Sequence, residues 1–455
     1  MTELLNYFIS TCVKQFISIF QGNKFICLMV SNNIVFLYQT ILYFSNKQIS
    51  IMVLKSNIES VAEKQRNRLD ELDYGMKREF VPNTKSLSSH ALIISGIRRC
   101  GKSTLMMQMI KELGDIPYFY LNFESPQLYG LTISDFTKLD NLILKIGAKY
   151  LFLDELQVVE GWELYVRQKL DEGFKVIITG SNAVLLSQEL GSKMTGRHIF
   201  QELFPFSYSE FLKFFDLQNS AESLSEFMLK GGFPDFLKTN DEEQLSTLFN
   251  DILIRDIVVR HGIKDVKSIQ SLASYLMSNV GNRITATKLK QPLSVSATST
   301  VMGWLSHLEL SYIVFFLPVF SYSVKAQLIN PRKVYAVDLG MLNAVSLSMT
   351  KDLGRKLENL IYLHLRLKYK ELYYFDNNGE CDFVAVKKGN VEVLVQVCYE
   401  LTPDNLDREL NGLFNAMKYF NMKTGTIVTF NNTDIIIKDN MKVEVIPAYV
   451  YLVRS

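Results

Sequence analysis

The stretch Ala91-Leu-Ile-Ile-Ser95 is a short apolar run rich in strand formers, and Gly96-Ile-Arg-Arg-Cys-Gly101-Lys102-Ser103 follows it directly. Thr104 to Leu113 then reads as a helix with Leu105, Met109 and Leu113 on one side. This is G-x-x-x-x-G-K-S between a strand and a helix, the context in which such a loop cradles phosphate. Gly96 and Gly101 let backbone amides curl round a phosphate without a clashing Cβ, and the helix N-terminus adds its dipole. Lys102 is expected to place its charge on the β and γ phosphates of ATP, and the Ser103 hydroxyl to ligate Mg²⁺. The nucleotide-binding set on this reading includes Gly96, Ile97, Arg98, Arg99, Cys100, Gly101, Lys102, Ser103 and Thr104. Arg98 and Arg99 either touch phosphate or anchor the loop. Cys100, by position, would let oxidation gate ATP binding.

The partner motif is Tyr150-Leu-Phe-Leu-Asp154-Glu155, about fifty residues further on. Four apolar residues ending in two acids predict a buried parallel strand whose carboxyl end delivers carboxylates to the phosphate site. Asp154 is expected to hold Mg²⁺, and Glu155 to orient and deprotonate the attacking water. Pro117 to Phe123, Val176 to Thr179 and His198 to Gln201 read as three further strands. Trp162 reads as core or interface.

With these residues in place the chain resembles a bacterial and archaeal family of AAA+-like P-loop ATPases whose C-terminal half is a domain of unknown function. The carrying motifs are Gly96 to Thr104, Phe152-Leu-Asp-Glu-Leu-Gln157 and Thr179-Gly-Ser-Asn182. To them are added Thr195-Gly-Arg197, Phe204-Pro-Phe206, Gly231-Gly-Phe-Pro234 and Asp256-Ile-Val-Val-Arg260. The resemblance covers roughly residues 52–455. It implies the additional-strand, catalytic-glutamate arrangement, with a strand inserted between the two motif strands. It also implies a γ-phosphate sensor at Ser181 or Asn182, both of which are equally ordinary turn residues. Arg197 follows as a candidate catalytic arginine, reaching the γ-phosphate of its own chain or a neighbour's; the alternative is a surface arginine paired with a carboxylate.

Composition limits the alternatives. Of 455 residues, 48% are hydrophobic and 21% charged, which excludes wholesale disorder, and the length suits two to four domains. Lys plus Arg number 49 against 47 Asp plus Glu, so bulk charge argues for neither nucleic acid nor an anionic membrane. Cysteines at 12, 27, 100, 381 and 398 are scattered and never spaced C-x-x-C, which points to a reducing cytoplasm. Five histidines, none paired at i and i+4, offer no zinc cluster. Residues 1–51 stand apart. Their only charges are Glu3, Lys14, Lys24 and Lys47, and 22 uncharged residues separate the last two. That run is long enough to span a bilayer, although Ser31-Asn32-Asn33 and Gln39-Thr40 interrupt it. It reads as an apolar extension, either translated upstream of a true start at Met52 or associated with a membrane.

The second half reads as helices from 207 to 264, then three helical stretches at 266–280, 285–291 and 296–308, then apolar runs at 312–319 and 334–337. Three helices plus a hairpin is the winged-helix plan. Ser294 to Leu310, covering the helix that would read DNA, has no Lys or Arg, so DNA is a weaker expectation than a protein partner or self-association. Arg283, Lys288 and Lys290, one helix earlier, could meet a nucleic-acid backbone. Beyond 346, Glu358 on a helix, Asp382 at a strand start and Gln396-Val-Cys398 on the next strand resemble a restriction-endonuclease-like domain. The metal carboxylate and lysine expected at the third position are missing, unless Lys387 or Lys388 migrates in, which predicts a retained fold without nuclease chemistry.

The expected architecture is therefore α/β: a P-loop NTPase core at 52–205, a helical linker region at 206–265, a winged-helix-like domain at 266–345 and an inactive nuclease-like domain at 346–455. The expected function is Mg²⁺-dependent ATP hydrolysis driving a conformational change in the C-terminal half. The alternatives are a nucleotide-gated interaction module without turnover and an ATP-controlled nucleic-acid-binding or nuclease protein.

Overall fold

The computed structural model describes residues 53–71, 74–82, 87, 89–181, 194, 196–241, 243–347 and 352–454. The readings made for residues 1–51, Asn182 and Thr195 lie outside them. Among the described residues no helix is long and apolar enough to cross a membrane.

The first sheet has five parallel strands: β1 (Ala91–Ser95), β2 (Tyr118–Asn122), β3 (Tyr150–Asp154), β4 (Lys175–Gly180) and β5 (His198–Glu202), in the order β2-β3-β4-β1-β5. The strand that separates the two motif strands in space is thus β4, whereas β2, which separates them in sequence, lies at an edge. Strand alternation sends Leu92, Ile94, Phe152 and Ile177 to one face, against Leu105, Met106 and Met109 of helix Lys102–Leu113. Ile93, Leu121, Leu151 and Ile178 go to the other, against helices Lys55–Glu71, Phe136–Ile146 and Trp162–Asp171. Trp162 is buried there, as a core residue.

Helices from Tyr208 to Asp251 and a π-helical segment, Ile252–Val259, lead to three further helices, Val266–Ser278, Ala286–Lys290 and Thr298–Leu310. These carry an antiparallel sheet of β6 (Arg283–Ile284), β7 (Val314–Leu317) and β8 (Arg332–Ala336), ordered β6-β8-β7. The last sheet runs β13-β14-β12-β11-β10-β9, from β9 (Glu371–Asp376), β10 (Glu380–Lys387), β11 (Asn390–Val397), β12 (Thr424–Thr429), β13 (Asp434–Lys438) and β14 (Met441–Pro447). It is mixed: β9, β10 and β11 pair antiparallel, while β11, β12 and β14 pair parallel. Helix Leu353–Lys368 covers one face and helix Pro403–Tyr419 the other.

One apolar cluster runs from Ile94 through Phe204, Phe211, Leu272 and Phe315 to Leu452, across the boundaries read from sequence near 205, 265 and 345. Polar pins reinforce it at the carboxyl ends of β1 and β5: the Tyr312 hydroxyl donates to Ser95 Oγ at 3.1 Å, and Arg366 pairs with Glu202 at 2.8 Å. The Gly231-Gly232 turn wraps a buried carboxylate, with the Gly232 N–H donating to Asp338 Oδ2 at 2.7 Å. A Cβ on Gly231, whose φ is +70°, would sit 2.3 Å from Asp338 Oδ1.

Arg78 joins the phosphate loop to the helical region. Its guanidinium grips Glu210 through two hydrogen bonds of 2.7 and 3.1 Å and donates to the carbonyls of Cys100 and Phe204 at 3.0 and 2.9 Å. Both side chains are buried, so removing one strands the other. Arg78→Ala is expected to lower stability by about 3–5 kcal/mol in urea unfolding. The double change Arg78→Met with Glu210→Leu should recover much of that loss, because it removes the charges together.

Candidate functional site

Gly101, at φ +101°, turns the phosphate loop into helix Lys102–Leu113, and Arg99, at +64°, supplies a second left-handed residue within it. Gly96 is required for a different reason: a Cβ there would lie 2.0 Å from the Leu203 carbonyl oxygen. The Lys102 ammonium is buried, donates to the carbonyls of Gly96 and Ile97 at 3.1 Å each, and stands 3.6 Å from Glu155 Oε1. Burial disfavours its charge, but the Glu155 carboxylate and the further acidic groups around it, Asp154 among them, together raise its pKa.

Asp154, at the carboxyl end of β3, is fully buried. Its Oδ2 accepts hydrogen bonds from Ser103 Oγ at 2.8 Å, Asn122 Nδ2 at 2.8 Å and the Tyr120 hydroxyl at 3.1 Å, and its Oδ1 accepts one from Thr179 Oγ1. Burial and the neighbouring Glu155 charge push the Asp154 pKa up. Glu155 occupies the left-handed region at φ +54°, where its N–H donates to Thr179 Oγ1 at 3.0 Å and its Oε2 accepts from the Ser181 N–H at 3.2 Å. Burial works against its ionisation, yet the Lys102 ammonium holds the Glu155 pKa below the ordinary value. Ser103 and Asp154 together present the hard oxygen donors that suit a Mg²⁺ ion sharing its remaining positions with water and phosphate.

Lys102, Ser103, Thr104, Arg98, Arg99 and Glu155 line one cleft of about 280 Å³. Arg98 does anchor the loop: it forks onto Glu124 at 2.8 and 3.1 Å and reaches Asp256 at 3.3 Å. Arg99 is exposed and lies 3.5 Å from Asp235. Cys100 differs from the gating expectation. Its thiol is buried, donates to the Leu203 carbonyl at 3.3 Å and is pushed up in pKa by burial, so it faces the core instead of the phosphate. Arg197 differs too. It precedes β5, whose parallel pairing with β1 puts that end of the sheet opposite the phosphate loop. There it pairs with Asp171 and donates to the Ser89 carbonyl at 3.1 Å, so it does not approach its own chain's loop. Of the two sensor candidates Ser181 is described: its N–H meets Glu155, and its Oγ is buried without a hydrogen-bond partner. Tyr120 and Asn122 escaped the sequence reading, although they share one strand face at spacing two, and Thr179 was read as part of a motif without a role of its own.

A second polar cluster lies where the six-stranded sheet meets the three-stranded one. The Lys333 ammonium, carried by β8 of the three-stranded sheet, lies 2.6 Å from Glu380, 2.7 Å from Asp382 and 2.9 Å from Glu358. It is 3% exposed. The Tyr335 hydroxyl also donates to Glu358 at 2.7 Å. Asp382 Oδ2 accepts from the Val397 N–H at 2.9 Å, and the Gln396 amide bridges the Asp382 N–H at 3.2 Å to Glu409 at 2.7 Å. Lys387 and Lys388 are exposed and take no part. Glu358 and Asp382 thus do converge as read, but around an ammonium; among the described residues no group of three or more His, Cys, Asp or Glu is placed to hold a metal ion.

Residues 88–212 match the family model of an AAA domain, and residues 221–353 match a domain of unknown function (DUF8612). An uncharacterized protein of Methanocaldococcus jannaschii is 32% identical over 414 residues, covering 84% of this chain and 92% of its own length. An uncharacterized protein of Haemophilus influenzae is 29% identical over 334 residues, covering 69% and 83% respectively. Among solved structures, Cdc6p from Pyrobaculum aerophilum superposes with a TM-score of 0.24 at 14% identity, over 62% of this chain and 92% of that one.

Lys333→Ala would leave the buried Glu358 and Asp382 carboxylates facing one another, with the partly exposed Glu380 beside them. The variant is expected to lose about 3–5 kcal/mol of stability near neutral pH. Protonation relieves carboxylate repulsion, so the deficit should shrink as the pH of the unfolding measurement falls from about 8 to about 5. A deficit that is constant across that range would count against the repulsion.

Proposed function

The chain belongs to the AAA P-loop ATPase family, in a branch that joins the ATPase domain to a domain of unknown function, and on that premise we propose that it hydrolyses ATP with Mg²⁺ to move its C-terminal half. The observation that carries the reading is the convergence of Lys102, Ser103, Asp154 and Glu155 at the strand ends, with Glu155 facing the same cleft as Lys102, whose ammonium favours the carboxylate's charged form. Loop amides and Lys102 hold the β and γ phosphates. Mg²⁺, held by Ser103 and Asp154, would neutralise phosphate charge. Glu155 accepts the proton of the attacking water, and its backbone contact with Ser181 orients the carboxylate. Ser181, with Asn182 beside it, is proposed as the γ-phosphate sensor.

Residues 266–345 are read as a winged helix and 346–455 as a nuclease-like fold serving assembly in place of cleavage. The Lys333 ammonium at the centre of the carboxylates supports the latter. Contact with protein, or with a second copy of the chain, is favoured over DNA. Arg283, one of the three cations available for a nucleic-acid backbone, is engaged by Asp376 and by Glu380 at 2.7 Å. If Arg197 acts in catalysis, it does so on a neighbouring molecule. A cytoplasmic setting is supported by the free, buried Cys100, Cys381 and Cys398.

Steady-state ATP hydrolysis by the full chain tests this. Glu155→Gln is expected to lower kcat by at least about 100-fold while ATP still binds, and Lys102→Ala to lose binding. Binding without turnover in the wild type would favour the gated module, and no binding at all would remove the reading.

A further inference from the structure

Arg98 belongs to the phosphate loop but is held from outside it. Its guanidinium, largely shielded from water, bridges Glu124, just beyond β2, and Asp256, in the middle of the π-helical segment Ile252–Val259. The two bonds to Asp256 are the longer, at 3.3 Å each, against 2.8 and 3.1 Å to Glu124. Asp256 is 4% exposed, and its other cationic neighbour, Arg260, stands at 3.9 Å. A buried carboxylate that loses its main partner must find another or become costly. π-Helical geometry replaces the usual i−4 bonds and is disproportionately found where a helix has a functional reason to be under strain. This one packs against helices Glu243–Asp251, Val266–Ser278 and Thr298–Leu310, and so leads directly into the C-terminal half.

We propose that Arg98 is a nucleotide-responsive latch: the γ-phosphate of ATP competes with Asp256 for its guanidinium, and release of Asp256 shifts the π-helical segment and the helices packed on it. The latch rests on the ATPase reading and supplies its missing transmission. Arg98 lines the same cleft as Lys102 and Glu155, within reach of the ligand's charged end. A guanidinium forks onto phosphate as readily as onto carboxylate, which makes the exchange chemically even-handed. Asp256 then closes on Arg260, four residues on and already 3.9 Å away, which draws that stretch of the segment together.

Hydrogen–deuterium exchange on the full chain reads the latch. In Glu155→Gln, ATP is expected to change exchange across residues 252–278 by about fivefold or more relative to ADP, and adding Asp256→Asn to abolish that difference with ATP affinity held within about threefold. Asp256→Glu, which keeps the charge, should restore part of the response. An undiminished response in Asp256→Asn overturns the latch and leaves the ATPase reading intact, as does ATP binding with no response at 252–278. A chain that binds no nucleotide overturns both. Should Asp256→Asn fail to fold, Arg98→Lys takes its place, since lysine keeps the charge but cannot fork across two carboxylates; a full response there also overturns the latch.

Discussion

A carboxylate without access to water is costly unless donors surround it, and Asp154 collects four donors from three separate elements. Ser103 comes from the helix after the phosphate loop, Tyr120 and Asn122 from β2, and Thr179 from β4. Thr179 also receives the N–H of Glu155, so the same hydroxyl that satisfies one acid helps hold the next in its left-handed conformation. Satisfying one buried group therefore sets the register of three strands and the pitch of the loop together. The chemistry inherits that rigidity, because the groups that would meet the phosphates are fixed by what keeps the strand ends folded.

The C-terminal half solves the equivalent problem in another way. Its sheet also brings acids together at the ends of adjacent elements, but the compensating charge is an ammonium borrowed from the neighbouring sheet. A lysine needs no free coordination position and exchanges with nothing, so the cluster can cement two sheets where a metal would have left an opening for substrate. Asn359 reinforces the same junction, exchanging hydrogen bonds of 2.7 and 3.0 Å with the backbone of Ala336.

Much of the first sheet was legible because its strands are short, largely apolar and punctuated by glycine, lysine or paired acids. Strand order was harder to read. Nothing in the text of β2 or β4 says which of them stands beside β1, since that depends on packing over both faces. Arg197 shows the cost: the family resemblance suggested the phosphate end, but parallel pairing puts it at the other. Partnerships at long range were also hidden. Arg98 meets a residue 158 positions away and Lys333 one 49 positions away, and neither local pattern announces its partner. Cys100 misled because the loop has an inside and an outside, and residue type does not distinguish them.

The apolar cluster that passes without a break from Ile94 to Leu452 bears on how such a chain could arise. A domain with its own closed core can be transferred between genes and keep its fold. Here, severing the chain after Glu202 would expose Phe204, Phe206, Phe211 and the aromatic surfaces they meet. The ATPase sheet and the half it is proposed to move therefore share one core, and substitutions at their junction would have to be matched on both sides.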